Sequence, residues 1–190
     1  MITDDKMLHP ERIDRRLVHN GSIVDFYADT MKLPDGKLET FDFIKHKGAA
    51  AVIPVMEDGR ILMVKQHRNA IDQFTYEIPA GGLNGVDEPT HECAYRELEE
   101  ETGYHASKED VKFLIGLYTT VAFCNEKIDI YVAHNLVKTS QNLDDDEYID
   151  VYAFTIDELC DMILNGDIID AKTIAGLMAY KEKYINRVNA

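Results

Sequence analysis

Apolar positions along the chain fall mostly into short, strand-length runs. Residues 23–33 and 37–44 flank Pro34-Asp35-Gly36, a turn sequence, and predict a β-hairpin or meander outside the main core. A new unit opens at Gly48. Residues 49–56 form an unbroken apolar run, read as a buried strand; Glu57-Asp58-Gly59 reads as a turn and residues 61–66 as the partner strand. Residues 71–78 give a weaker strand leading into a Pro79-Ala80-Gly81-Gly82 loop, and 113–121, 127–134 and 150–154 are three more strands.

Three segments instead carry the helical period. Residues 89–102 have Pro near the first turn and Gly103 just past the end, the expected asymmetric boundaries. Thr155 with Glu158 makes a capping-box pattern ahead of Leu159, Met162 and Ile163. Asp170 is placed to cap a last helix carrying Ile174, Leu177 and Met178. Strands and helices mixed without regular alternation predict an α/β fold with a mixed sheet. Residues 1–46 form an N-terminal β-region and 47–190 the main domain.

Charge narrows the function classes. With 20 Lys and Arg against 35 Asp and Glu, the net charge is −15. So acidic a chain is not expected to bind nucleic acid or an anionic membrane surface. The run at 49–56 is too short to span a bilayer, and residues 1–10 are polar, unlike a signal peptide. Three cysteines without CxxC spacing fit a reducing cytoplasm. A protein of this charge that handles phosphates needs something other than its net field to attract them.

The densest acidic segment is Arg96-Glu97-Leu98-Glu99-Glu100-Glu101-Thr102-Gly103. At about 100° per residue, Glu97, Glu100 and Glu101 share one arc of a helix. Ala94, Tyr95, Leu98 and Thr102 occupy the adjoining arc and are expected to pack on the sheet, while Glu99 points to solvent. Carboxylates three and four residues apart repel, and partial burial worsens this unless a cation sits among them. Hard oxygen ligands at this spacing suit Mg²⁺ or Mn²⁺. Arg96 is placed to pair with Glu100 or Glu92, and His91 is expected to be solvated. The alternative reading is a solvated acidic surface helix.

The wider spacing decides against that alternative. Gly82, five residues, Glu88, seven residues, then Arg96-Glu97-Leu98-x-Glu100-Glu101-x-Gly103 is a pattern of specified residues that chance produces about once in 10⁸ starting points. It matches the Nudix box, and the chain resembles Nudix hydrolases over residues 82–104 and, more loosely, over about 48–180. The resemblance implies an α/β/α sandwich, a divalent metal on the box helix, and cleavage of a diphosphate linking a nucleoside to another group. It makes Glu97, Glu100 and Glu101 metal ligands, with Gly82, Glu88, Arg96 and Gly103 as the rest of the box. A further ligand is a backbone carbonyl just before the box glycine, from Ala80 or Gly81.

Features outside the box resemble the ADP-ribose pyrophosphatase subfamily: Val64-Lys65-Gln66-His67-Arg68, Glu77-Ile78-Pro79-Ala80-Gly81, the N-terminal strands, and Asp170-Ala171-Lys172-Thr173. The resemblance implies a homodimer through the N-terminal strands, with Arg68 and Glu77 at the substrate; Arg68 has the alternative of an ordinary ion pair. It implies Mg²⁺-dependent cleavage of ADP-ribose to AMP and ribose 5-phosphate. One loop departs from the subfamily: residues 120–126 lack its Ser-Pro-Gly, although Glu126 keeps a position matching the loop glutamate. GDP-mannose and related sugars stay open as substrates. Glu126 is the first choice for the base that activates water, with Glu100 second and a plain loop carboxylate as its alternative role. A non-catalytic nucleotide-sugar sensor is the competing class, disfavoured by the complete box.

Overall fold

The computed structural model describes residues 8–144 and 147–187. A second acidic stretch, at 144–150, and the polar start therefore lie partly outside the described residues. The chain divides into two compact units, one ending at His46 and including Thr120–Glu126, the other formed by Lys47–Thr119 and the chain from Lys127 onward.

The first unit is an antiparallel meander of β1 (Glu11–Asn20), β2 (Asp25–Lys32) and β3 (Leu38–Lys45). The expected turn lies between β2 and β3, closed by the Gly36 N–H on the Leu33 carbonyl at 2.9 Å. Strand β1 escapes sequence reading because it is charged and exposed along almost its whole length, with no apolar alternation. What holds it is polar: Arg15 donates from Nε and Nη2 to the buried Asp29 of β2 at 2.6 and 2.5 Å, and its guanidinium lies 3.7 Å from the centroid of the Phe43 ring. The Arg15 guanidinium holds the Asp29 carboxyl below the usual range. Segment Thr120–Glu126 runs beside β3, with the Ile44 N–H on the Phe123 carbonyl at 2.7 Å.

The second unit has two main sheets. The first orders β7 (Ala80–Gly82), β4 (Ala49–Pro54), β10 (Lys127–Ala133) and β9 (Val111–Tyr118). Strands β4 and β10 are parallel and the other pairs antiparallel, so the sheet is mixed. The second orders β12 (Asp150–Phe154), β5 (Ile61–Arg68) and β6 (Gln73–Glu77), all antiparallel. A two-stranded ladder joins β8 (Tyr104–His105) to β11 (Val137–Lys138).

Two sequence expectations are corrected here. Strands β4 and β5 are not hairpin partners: after the Met56–Arg60 turn the chain changes sheets, and only an isolated bridge, Val55 to Ile61, links the two. Every residue of β4 is buried, so it needs a neighbour on each edge, which β7 and β10 supply. And residues 80–82, read as loop, form the short edge strand β7 on β4.

Alternation along β4 and β10 sorts the core into two layers. Ala50, Val52, Tyr131 and Ala133 pack with Cys93, Ala94 and Leu98 of helix α1 (Thr90–Thr102). Ala51, Ile53, Ile128, Ile130 and Val132 pack with Leu159 of α2 (Ile156–Asn165) and with Leu177 and Tyr180 of α3 (Ala171–Tyr180). Helices on both faces of the sheet make the α/β/α sandwich. The caps are those expected: Thr155 and Glu158 form the capping box of α2, and Asp170 accepts the Thr173 N–H at 2.9 Å to start α3. Helix α3 runs on into π-helical turns at Lys181–Asn186.

Candidate active site

Helix α1 is anchored by Cys93, Ala94 and Leu98, each fully buried against the sheet. It stops at Gly103, whose φ of 68° is open to glycine at little cost. The apolar anchor sets the rotation of the helix and so turns the acidic arc toward strand β7. Glu97 and Glu101 are buried, and Glu100 is half-buried.

Arg96 ties this edge together. Its Nη1 donates to Glu97 Oε1 at 2.6 Å and to Glu100 Oε2 at 2.8 Å, and its Nη2 donates to the Gly82 carbonyl at 3.3 Å. Its Nε lies 3.7 Å from Glu88. Of the two partners expected for Arg96, Glu100 is found and Glu92 is not; Glu92 pairs with Lys108 at 2.5 Å. His91 is not simply solvated, because its Nε2 lies 3.1 Å from the carbonyls of both Lys108 and Val111. Glu88 accepts the Asn84 N–H at 2.6 Å, closing the loop that leads into the helix.

Strand β7 presents its backbone to these carboxylates. The Val52 N–H bonds the Pro79 carbonyl and the Leu83 N–H bonds the Gly48 carbonyl, which fixes the alternation of the β4–β7 ladder. Gly81, opposite Ala50, is then in a hydrogen-bonded pair with its carbonyl turned into the ladder. The polar groups of Ala80 face the other way, and its N–H donates to Glu101 Oε2 at 2.9 Å. A Cβ on Gly81 would overlap the Glu97 carboxylate, so that glycine leaves the space Glu97 fills.

The electrostatics are those of an acidic cluster that Arg96 compensates only in part. Burial, with Glu100 and Glu147 nearby, outweighs Arg96 and pushes Glu97 up to about 7. Burial and the charge of Glu97 push Glu101 up to about 8. Burial and Glu97 also raise the Cys93 thiol beneath them to about 12, which leaves it an inert packing group. Among the described residues no trio of acidic, histidine or cysteine side chains is gathered at coordination spacing, because the oxygens are turned onto Arg96 and the Ala80 N–H. The donor set nevertheless fits a hard divalent cation: three carboxylates on one helix edge, two of them held against their own charge by burial.

A second polar cluster adjoins the first. Glu77, at the end of β6, is 2% exposed. It accepts Arg68 Nε and Nη2 at 2.8 and 2.7 Å, Thr75 Oγ1 at 2.6 Å and Lys172 Nζ at 2.5 Å. Burial raises its carboxyl, but Arg68 and Lys172 together outweigh that and hold it at about 2. Arg68 thus has the ion pair that was its alternative reading, with the partner expected beside it at the substrate. The sequence alone assigns no role to Lys172 or Thr75. Lys172 lies on the buried side of α3, and a charge there needs a partner.

Glu126 belongs to the first unit, where its Oε1 lies 3.5 Å from His46 Nδ1 and its N–H faces Cys124 Sγ at 3.4 Å. The role expected of it rests on the family resemblance.

The model of the NUDIX domain matches residues 45–177, from the end of β3 into α3 and across the whole acidic cluster. The chain belongs to the Nudix family. It is 35% identical over 182 residues to the ADP-ribose pyrophosphatase of Bacillus subtilis, covering 95% of this chain and 94% of that one. It is 36% identical over 171 residues to the methanol dehydrogenase activator of Bacillus methanolicus, covering 89% and 91%. A solved ADP compounds hydrolase shares the fold with a TM-score of 0.84 at 19% identity, over 97% of this chain and 100% of that one. This Nudix protein is accordingly a pyrophosphohydrolase, of a family that generally uses divalent metal ions. No helix among its described residues is long and apolar enough to cross a membrane.

Proposed function

We propose that this Nudix protein is a Mg²⁺-dependent hydrolase of nucleoside diphosphate sugars, cleaving ADP-ribose to AMP and ribose 5-phosphate. The observation that carries the metal dependence is the pair of buried carboxylates, Glu97 and Glu101, pushed up to about 7 and 8 beside Glu100. The likeness to the ADP-ribose pyrophosphatase of Bacillus subtilis supports the substrate.

Glu97, Glu100, Glu101 and the carbonyl of Ala80 would hold the metal. Ala80 is favoured over Gly81 because its backbone polar groups face Glu101 and not the ladder. Bound there, a divalent cation supplies neutralisation of the diphosphate and of the charge added in the transition state. Arg96 keeps Glu97 and Glu100 in place, and Arg68 offers a planar guanidinium to the phosphate oxygens. Water attacks one phosphorus in line and the other phosphate departs, with Glu126 taking the proton.

Purified protein incubated with ADP-ribose, GDP-mannose and NADH is expected to release AMP from ADP-ribose with Mg²⁺ present, and to lose this turnover in EDTA. Equal turnover with and without the chelator would reject the metal dependence, and a faster reaction with GDP-mannose would reassign the sugar. The likeness to the methanol dehydrogenase activator favours a second reading, a regulatory protein acting on a partner. Binding of a nucleotide sugar without cleavage in the same panel would support it.

We also place a homodimer contact on the N-terminal strands, where Ile13, Leu17, Val18, Leu38 and Phe41 are exposed. Sedimentation equilibrium is expected to give twice the mass of one chain. A single-chain mass at micromolar concentration would remove this contact. The three free cysteines suit a cytoplasmic location.

A further inference from the structure

Lys172 is a lysine where lysines are rarely found. Its side chain is 9% exposed, and its ammonium is committed to Glu77 at 2.5 Å and to Asp170 at 3.0 Å. An ammonium taken so far out of water is costly, and here the two carboxylates offset that cost. Its neighbour Thr173 is fully buried and accepts the Ile78 N–H on Oγ1 at 3.0 Å. The start of α3 is therefore stitched to the end of β6 at two consecutive residues, Glu77 and Ile78. Two residues further on, the Ala80 N–H holds Glu101.

Glu77 is shared. Arg68 occupies it with Nε and Nη2, which leaves Nη1 for another acceptor, and the Arg68 side chain is 44% exposed. Arg68 is also close enough to Glu101 to feel its charge, and Glu101 feels that of Lys172. Counting Glu77, Asp170, Arg68 and Lys172, the quartet is neutral. Without Lys172 it would carry −1 beside an already acidic cluster, and Glu77 would draw on Arg68 alone.

We propose that Lys172 is a positioning residue for substrate binding: by sharing the Glu77 carboxylate it fixes the partly exposed Arg68 guanidinium for the diphosphate of the substrate. This rests on the hydrolase reading given above. A planar guanidinium pinned along one edge meets a phosphate with little further ordering, whereas an unpinned arginine must be ordered on each binding event.

The test is a double-mutant cycle with Lys172→Met, Arg68→Met and the pair, measuring kcat and KM for ADP-ribose and GDP-mannose with Mg²⁺. Lys172→Met is expected to raise KM about tenfold while kcat stays within about twofold, the pattern of lost binding and not of lost chemistry. In the Arg68→Met background it is expected to raise KM no further. If the two substitutions multiply, or if Lys172→Met lowers kcat at constant KM, the proposal is overturned. Lys172→Gln, uncharged and one bond too short to hold Glu77 as the ammonium does, carries the same comparison should Lys172→Met fail to fold by circular dichroism. Absence of turnover by the wild-type protein overturns the hydrolase reading and this inference together. Normal wild-type turnover with independent variants overturns this inference alone.

Discussion

Replacing Glu100 with Gln is expected to lower kcat roughly 10³-fold while leaving thermal unfolding in place. The side chain is 31% exposed, and its Arg96 bond at 2.8 Å can be kept by the amide oxygen. Removing one charge from an arc where Glu97 and Glu101 are already pushed up relieves repulsion and costs the fold nothing. The loss therefore falls on the metal and on the transition-state charge it would balance. Titration with Mn²⁺ should show weakened binding in the same variant. Near-wild-type turnover by folded Glu100→Gln protein would reject Glu100 as a ligand. Glu126→Gln separates the remaining role: loss of kcat with unchanged Mn²⁺ affinity marks the base, and unchanged kcat passes that role to Glu100.

The largest effect on stability is expected at Glu77. Glu77→Leu should destabilise the protein by about 3–5 kcal/mol, because it strands the buried ammonium of Lys172 and cuts Arg68 loose. Urea unfolding at neutral pH measures this, and a loss under 1 kcal/mol would show that the cluster relaxes around the gap. The same carboxyl sets an acid limit. Its pKa is lowered on folding from 4.5 to about 2, so its contribution is complete above about pH 4.5 and is lost as pH falls through about 2. The stability of the wild-type protein should fall through that window more steeply than that of Glu77→Leu.

Much of the chemistry was open to reading along the chain because it is local. The Nudix box depends on residues at fixed helical offsets, and Gly103, Thr155 and Asp170 declared their helix ends through the backbone groups they satisfy. Pairing was not legible to the same degree. The apolar runs that became β4 and β5, with a turn between them, carry the pattern of a hairpin, yet β4 is buried throughout and pairs with β7 and the distant β10, while β5 pairs with the strand that follows it, β6, and with the distant β12. Strand β1 had no pattern to find, since it is held by Arg15 on Asp29 and not by an apolar face.

The amino-acid sequence by itself determined the α/β class, the acidic arc of Glu97, Glu100 and Glu101, and the family to which that arc belongs. The class follows from the mixture of strand and helix patterns along the chain, and the arc and the family from spacing in and just before one helix, all of which residue order alone sets. Tertiary structure decided which of those carboxylates are buried, that the Ala80 N–H faces Glu101, and that Arg68, Glu77 and Lys172 share one charge network. Glu77 and Lys172 are 95 positions apart and meet only where α3 lands on the end of β6. The net charge of −15 reads differently in that light. Residues 87–101 carry −6 of it, gathered where a divalent cation would cancel it locally, with the buried Lys172 and the partly exposed Arg68 set beside it.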